Sequence, residues 1–229
     1  KRITKSLFSK NSAIRYVMIG IVSVALVTFI GVRGSQTTFA ADADPADNPS
    51  NTVIDAQCTP YSVDPSYDCA GRIRSLINNN AERPLKITFG ENHPTGTEFA
   101  FLSTVRMQSD VSIEGTNQPV ARMDVGIPFS TLADFNNVSI RNFDVDLQGC
   151  GLFDSLMVIN FSFTNLHLRN LNLTGGNADD LDPDSCDLIR SGTPNTTSNG
   201  LYVDNVSAEK TRRLVWLKTG STHTNVEFT

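Results

Sequence analysis

The 229-residue sequence has few of the residues that commonly bind zinc, with only four cysteines and three histidines. No CxxC pair is present, and no Cys/His spacing is typical of a zinc site. Structural zinc sites are built from such closely spaced pairs, so the sequence argues against a zinc centre. The sequence also contains no complete catalytic motif, which leaves its function to be inferred from fold and surface.

Basic residues are scarce beyond the N-terminus. Residues 1–40 hold six of the 19 Lys and Arg residues and none of the 24 Asp and Glu residues. The remainder therefore has 13 basic and 24 acidic residues and a net charge of −11. Such a surface repels nucleic acid, and it is compatible with divalent cations and with neutral or cation-bridged glycans.

The first 40 residues have the three parts of an export signal. A basic leader precedes an uncharged run of 17 residues at positions 16–32, and a small-residue stretch follows. We expect cleavage after Ala40 or, as a second choice, after Ala43. The alternative is an uncleaved anchor, because 17 residues are near the lower limit for spanning a bilayer. Either way the basic leader stays inside and the rest is secreted or displayed at the cell surface, with membrane contact only through this segment.

Beyond the signal, composition predicts a short linker and one domain. Residues 41–57 are rich in Asp, Ala, Pro and Asn, which favours a disordered linker. Residues 58–229 are enough for one domain with a continuous core. Because the last repeat is followed by no capping element, we expect this domain to continue beyond Thr229.

Four cysteines in an exported chain indicate two disulfides and permit three pairings. We predict the local bridge Cys58–Cys69, which leaves Cys150 to pair with Cys186. Asp68, directly before Cys69, can cap a short helix over residues 69–80 whose apolar residues lie on one face.

The most informative stretch of the chain repeats itself. The run NVSIRNFDV at residues 137–145 recurs as NLHLRNLNL at residues 165–173, with apolar residues at every second position. This is the period of a strand with one buried face. Fainter copies begin at Asp110, Gly200 and Asn225, so the five starts are separated by 27, 28, 35 and 25 residues. A unit of two or three short strands cannot bury its own apolar face, so the spacing predicts stacked repeats.

The repeat, over residues 68–229, resembles the right-handed parallel β-helix of the pectate-lyase-like superfamily. The resemblance implies an all-β solenoid with three short strands per coil and an N-terminal capping helix. It also implies an asparagine ladder at a tight turn, formed by Asn142, Asn170 and Asn205, with Gly115 in the first coil. Asparagine suits such a turn because it tolerates the left-handed conformation and its amide can bond to the next copy.

An acidic loop is the main candidate for a metal site. Five carboxylates fall within nine residues. Calcium takes about six to eight oxygen ligands and would relieve their mutual repulsion. The five residues are Asp179, Asp180, Asp182, Asp184 and Asp187. The alternative is a solvated acidic turn that binds no metal.

The resemblance implies a reaction for such a site. In lyases of this superfamily, Asp-bound calcium neutralises a uronate carboxylate and an arginine or lysine removes the neighbouring proton in a β-elimination. Arg190 and Lys218, at comparable places in successive repeats, are the candidate bases. An arginine base needs a depressed pKa, and the alternative is that both are exposed surface charges. The glycoside hydrolase branch is the weaker candidate, because its downstream Gly-His-Gly and Arg-Ile-Lys motifs are absent.

The outward positions of the repeated strands also line up. One row contains Ser139, His167, Tyr202 and Glu227, and the next contains Glu114, Arg141, Arg169 and Asp204. Imidazole, phenol and guanidinium groups in adjacent rows can bind sugar, so we predict substrate contacts from Arg141, His167, Arg169 and Tyr202. The alternative is a mixed polar ladder whose charges pair loosely with one another.

Two functions follow from these patterns. The first is an exported protein that binds or processes a polysaccharide or cell-surface glycan, with a calcium-assisted polyuronate lyase as its enzymatic form. The second is a non-catalytic surface adhesin or structural scaffold on which the repeats display loops. The acidic loop favours the first and the lack of a complete catalytic motif favours the second, and the fold does not decide between them.

Overall fold

The computed structural model describes residues 43–124, 128–148, 155–175, 187–191, 196–209, 213–216 and 220–229. Strands dominate these residues, as the two-residue period of the repeat predicts. In chain order the strands are β1 (Thr52–Asp55), β2 (Leu85–Phe89), β3 (Glu98–Phe101), β4 (Val105–Met107), β5 (Val111–Gly115), β6 (Val120–Met123), β7 (Phe129–Thr131), β8 (Phe135–Leu147), β9 (Ser155–Ile159), β10 (Phe163–Gly175), β11 (Asp187–Ser191), β12 (Thr197–Glu209), β13 (Arg213–Trp216) and β14 (Thr222–Phe228).

Within the described residues these strands form two sheets in which all pairs are parallel. The first sheet has the order β1-β2-β5-β8-β10-β12-β14, with β3 and β6 beside it, and the second has the order β4-β7-β9-β11-β13. The chain returns to each sheet once per repeat, so equivalent strands of successive repeats are neighbours. This strand-dominated architecture of long parallel sheets fits a parallel β-helix.

The strand register confirms the repeat boundaries read from the sequence. Leu166 lies between Val138 and Leu201 in the first sheet, and Val226 follows on the far side of Leu201. A slip of one residue would move the inward apolar residues of a strand to its outward face. The burial of these residues therefore favours this register strongly. The inward side chains of β8 and β10 are accordingly buried in one continuous core.

The predicted helix is present as α1 (Cys69–Asn79), with Ile73 and Ile77 buried against the core. The predicted Cys58–Cys69 disulfide is also present, with the two Cα atoms 5.3 Å apart. Asp68 is the N-cap residue, but its side chain makes no capping hydrogen bond. Its carboxylate instead accepts hydrogen bonds from the Leu102 amide and the Ser103 hydroxyl, and so ties the helix to the loop after β3.

The prediction of a disordered linker is wrong for residues 43–57. Pro45–Asp47 forms a 3₁₀ helix, and β1 pairs in parallel with β2. The unpaired edge of β2 offers backbone donors and acceptors, and a polar segment satisfies them as well as an apolar one. Composition describes side chains, whereas β1 is ordered by backbone pairing with β2.

Two further predictions fall on residues outside the described ranges: the export signal at residues 1–40 and the pairing of Cys150 with Cys186. In the part of the chain that the structure describes, no helix is both long enough and apolar enough to cross a membrane.

Candidate functional site

The asparagine ladder fixes one border of the candidate surface. Asn142, Asn170 and Asn205 all adopt the left-handed conformation, with φ of 63°, 50° and 49°. The Asn170 amide donates to Asn142 Oδ1 at 2.8 Å, and the Asn205 amide donates to Asn170 Oδ1 at 2.9 Å. Gly115 does not begin the ladder, because the Asn142 amide donates to Glu114 Oε1 at 3.0 Å.

A second ladder, which the sequence analysis missed, runs along the other border. Asp110, Asn137 and Asn165 are also left-handed, with φ of 58°, 53° and 57°. The Asn137 amide donates to Asp110 Oδ1 at 2.8 Å, and the Asn165 amide donates to Asn137 Oδ1 at 3.1 Å. The signal was present in the sequence, because an Asp or Asn begins each of these repeats. The two ladders hold the strand segments between them rigidly in register.

These segments form what we call the outer face: the outward residues of the first sheet between the two ladders. Register places Ser139, His167, Tyr202 and Glu227 in one row. It places Glu114, Arg141, Arg169 and Asp204 in the next row. Both rows match the alignment predicted from the repeat, and neighbouring strands in a sheet are about 4.8 Å apart. Side chains of adjacent repeats can therefore contact one ligand.

His167 and Tyr202 form an aromatic pair on this face. Their ring centroids are 4.4 Å apart and their planes are inclined by 31°. His167 Nε2 lies 2.7 Å from Asn165 Oδ1, so the second ladder fixes the orientation of the imidazole. His167 is 7% exposed, and the ring of Tyr202 is the more accessible of the two.

Arg169 and Asp204 form an ion pair beside the aromatic pair. Arg169 Nε lies 2.8 Å from Asp204 Oδ2, and both side chains are more than 40% exposed. Exposed ion pairs contribute only about 0–1 kcal/mol, because water solvates both charges well. A ligand carboxylate could therefore replace Asp204, and a ligand hydroxyl could replace either partner, at little cost.

Arg141, the fourth predicted substrate contact, is instead buried in an ion-pair network. Its Nη1 lies 3.1 Å from Asp44 Oδ2 and 2.7 Å from Asp47 Oδ1. Its Nη2 lies 3.1 Å from Glu114 Oε2. Burial alone lowers the pKa of Arg141, but the hydrogen bond that Arg141 donates to Asp47 and the charges of Asp44 and Glu114 outweigh it, so the net shift is upward. In this structure Arg141 contacts the chain's own carboxylates.

The predicted catalytic pair is not aligned as expected. Arg190 lies in β11, and its partners in the second sheet are Val158 and Trp216. Trp216, two residues before Lys218, is therefore the residue of the next repeat that pairs with Arg190. The loops between repeats differ in length, so positions counted along the chain do not match the strand register. Lys218 itself lies outside the described residues.

The predicted calcium ligands are described only in part. Asp187 is buried in β11, and the other four lie outside the described ranges: Asp179, Asp180, Asp182 and Asp184. Among described residues, no group of three or more His, Cys, Asp or Glu side chains is arranged to hold a metal ion. The calcium site therefore stays a prediction.

Compared with protein-family models, curated proteins and solved structures, the chain has no significant match.

A Ser–His contact lies in the same sheet but faces inward. The Ser198 hydroxyl is hydrogen-bonded to His223 Nδ1. In register, these two residues continue the row of Phe135 and Phe163, whose rings stack with centroids 5.4 Å apart. Ser198 is 1% exposed, so its hydroxyl is inaccessible to a substrate and the pair is structural.

Burial lowers the pKa of His223, which predicts a pH-dependent stability. Below a pH of about 6.5 the unfolded chain binds a proton at His223 more readily than the folded chain does. The free energy of unfolding is therefore highest above that pH and decreases as the pH falls below it. We expect the urea midpoint to be lower at pH 5.5 than at pH 7.5, and the difference to be smaller in His223→Gln. Because the carboxylates titrate in both proteins, the difference between the two pH dependences reports the contribution of His223. An equal pH difference in the two proteins would contradict the assignment.

Proposed function

We propose that the protein is an exported glycan-binding β-helix protein of the pectate-lyase-like superfamily, and that the outer face binds the glycan. The observation that carries the proposal is the aromatic pair of His167 and Tyr202 beside the exposed pair of Arg169 and Asp204. Aromatic rings offer flat apolar contact area, and the charged groups offer directional hydrogen bonds to hydroxyls. Two ladders of side-chain amides hold this arrangement rigid, which lowers the entropy cost of binding.

The superfamily assignment is supported by several independent features. They are the parallel pairing of equivalent strands, the asparagine ladder at a left-handed turn, and the helix α1 packed at the first coil. The proposal includes a right-handed coil for the β-helix. The enzymatic form of the proposal is a calcium-assisted polyuronate lyase, with Arg190 as the base and with metal ligands from residues 179–187. A base must lie within hydrogen-bond reach of the proton it removes, and Arg190 is three residues from the acidic loop.

A non-catalytic surface scaffold is the second candidate, and a specific observation favours it. Arg141, one of the four predicted sugar contacts, has both terminal nitrogens paired with carboxylates of the chain, and Arg169 is paired as well. Such pairing is what a polar ladder without a ligand would show.

Glycan binding can be tested with substitutions on the outer face of the full chain. We expect Tyr202→Ala and Arg169→Ala each to weaken binding of an oligosaccharide about tenfold, a loss of about 1.4 kcal/mol. Tyr202 supplies ring contact and Arg169 supplies hydrogen bonds. Titration calorimetry against a panel of neutral and uronate oligosaccharides measures the affinities.

Arg106→Ala is the matched control, because Arg106 is an exposed arginine on β4 of the second sheet. The proposal fails if no oligosaccharide binds the unaltered chain, or if the control weakens binding as much as Arg169→Ala does. The same samples, incubated with polyuronate and calcium, decide between binding and lyase action. An ultraviolet absorbance from an unsaturated product, abolished by a chelator, would establish the lyase.

A further inference from the structure

The N-terminal strap, which we define as residues 43–51, lies across part of the outer face. Its 3₁₀ helix contacts β5 and β8. Two kinds of hydrogen bond hold the strap in a compact shape. Asp44 Oδ1 accepts from the Ala46 amide at 2.9 Å, and the Asn51 side chain donates to the carbonyls of Pro45 and Ala46 at 3.0 and 3.2 Å. The strap contacts the sheet through Asp44 and Arg141, which are 97 residues apart. The periodicity of the sequence does not predict this contact.

The strap supplies two of the three carboxylates that surround Arg141. Asp44 is 9% exposed, so its negative charge is stable there chiefly because the guanidinium neutralises it. Asp47 contributes the shortest contact, although its side chain is 57% exposed. Together they place carboxylate oxygens where an acidic ligand of the outer face would place its own.

Polar groups beneath the strap are left without partners. Ser139 is completely buried, although it lies in an outward row, and its hydroxyl has no hydrogen-bond partner among the described residues. Arg141 Nε is also buried and lacks a hydrogen-bond partner there. Buried donors without partners are unfavourable, so the strap satisfies this site incompletely.

The strap also leaves space between itself and the sheet. A cavity of about 340 Å³ lies between them, and its sheet side is lined by Ser112, Asn137 and Asn165. Small-molecule sites commonly measure about 300–1,000 Å³. Asn165 lines this cavity, and its side chain is hydrogen-bonded to His167 of the aromatic pair.

We infer that the groove around Arg141 is a carboxylate-binding subsite of the outer face, and that the strap occupies it as an internal ligand through Asp44 and Asp47. The ligand it accepts is a uronate-bearing oligosaccharide, whose carboxylate replaces those of the strap while its neighbouring sugar rings reach His167 and Tyr202. This inference rests on the proposed glycan binding. The strap therefore regulates binding, because an occupied groove lowers the apparent affinity in proportion to the fraction of open molecules.

The test uses the full chain with the substitutions Asp44→Asn and Asp47→Asn, which remove the charges of the strap and retain its size. The probes are a uronate trisaccharide and its neutral methyl ester, titrated by calorimetry. We expect the double variant to bind the uronate at least about tenfold more tightly than the unaltered chain, with no gain for the ester. Adding Arg141→Gln should abolish the gain, because it removes the guanidinium that the carboxylate needs.

Asp47→Asn alone provides a version of the test that leaves the buried carboxylate of Asp44 in place. Because Asp47 is the exposed member of the pair, this variant should keep the native urea midpoint and still gain about threefold in uronate affinity. An unchanged uronate affinity in both variants would overturn the inference. An equal gain for the ester would also overturn it, because it would reveal uncovered surface without carboxylate recognition.

A synthetic peptide with the strap sequence separates this inference from the proposed function. If no saccharide binds the unaltered chain, glycan binding fails, and the peptide then decides the nature of the groove. Peptide binding to the double variant, lost with Arg141→Gln, would still establish a carboxylate subsite filled by the strap. Absence of both peptide and uronate binding would overturn it.

Discussion

Replacing Gly115 with alanine is expected to lower the free energy of unfolding by at least about 3 kcal/mol, the upper part of the range for overpacked interiors. A Cβ atom at this position would overlap the Asn142 carbonyl oxygen and approach both the Phe143 Cβ and the Pro119 Cδ to 2.8 Å. None of these atoms is the end of a flexible side chain. Relief therefore requires the backbone of β8 to move away from β5, which would disturb the first rung of the asparagine ladder.

Urea unfolding followed by circular dichroism measures the effect of Gly115→Ala. Gly96→Ala is the control, because nothing lies within 4 Å of a Cβ built there. Its φ of +79° still disfavours alanine, so we expect this control to cost about 1–2 kcal/mol. Gly115 itself has no positive φ, so a loss no larger than that of the control would mean that the contact with β8 does not require glycine at position 115.

Gly115 illustrates how far the sequence predicts this fold. Alternating apolar residues and the recurring asparagines predicted the strand faces, the register and the ladder, because both depend on local chemistry repeated at each coil. The resemblance placed Gly115 at the ladder position of the first coil but gave no reason for glycine there. The structure gives one, the close approach of the Asn142 carbonyl, which depends on a neighbour 27 residues away.

The candidate site was predicted less completely than the fold. The rows containing His167 with Tyr202 and Arg169 with Asp204 follow directly from the repeat. The covering of Arg141 does not, because it depends on a polar segment whose composition suggested disorder. The mismatch between Arg190 and Lys218 has a similar origin. Loops of unequal length separate the repeats, so counting along the chain loses the register that hydrogen bonding sets.

The middle rung of the ladder carries the second large prediction. Asn170→Ala is expected to destabilise the protein by about 3 kcal/mol. The side chain donates to Asn142 and accepts from Asn205, and each hydrogen bond contributes about 0.5–1.5 kcal/mol. Asn170 also has a φ of 50°, a conformation that costs alanine about 1–2 kcal/mol.

Asn170→Gly separates these two contributions in the same urea measurement. Glycine adopts the left-handed conformation without strain, so it should lose only the hydrogen bonds and be about 1 kcal/mol more stable than the alanine variant. Asn172→Ala is the matched control, because Asn172 is exposed on the same strand and accepts one hydrogen bond, from Ser207. We expect it to cost less than about 1 kcal/mol.

The pattern of the three variants decides what the ladder contributes. If glycine restores full stability, backbone conformation alone accounts for the repeated asparagine. If glycine and alanine are equally damaging, the side-chain hydrogen bonds account for it. The geometry predicts an intermediate result, because Asn170 both occupies a left-handed turn and joins two neighbouring turns. Each asparagine would then stabilise its own turn and the stacking of coils that holds the outer face together.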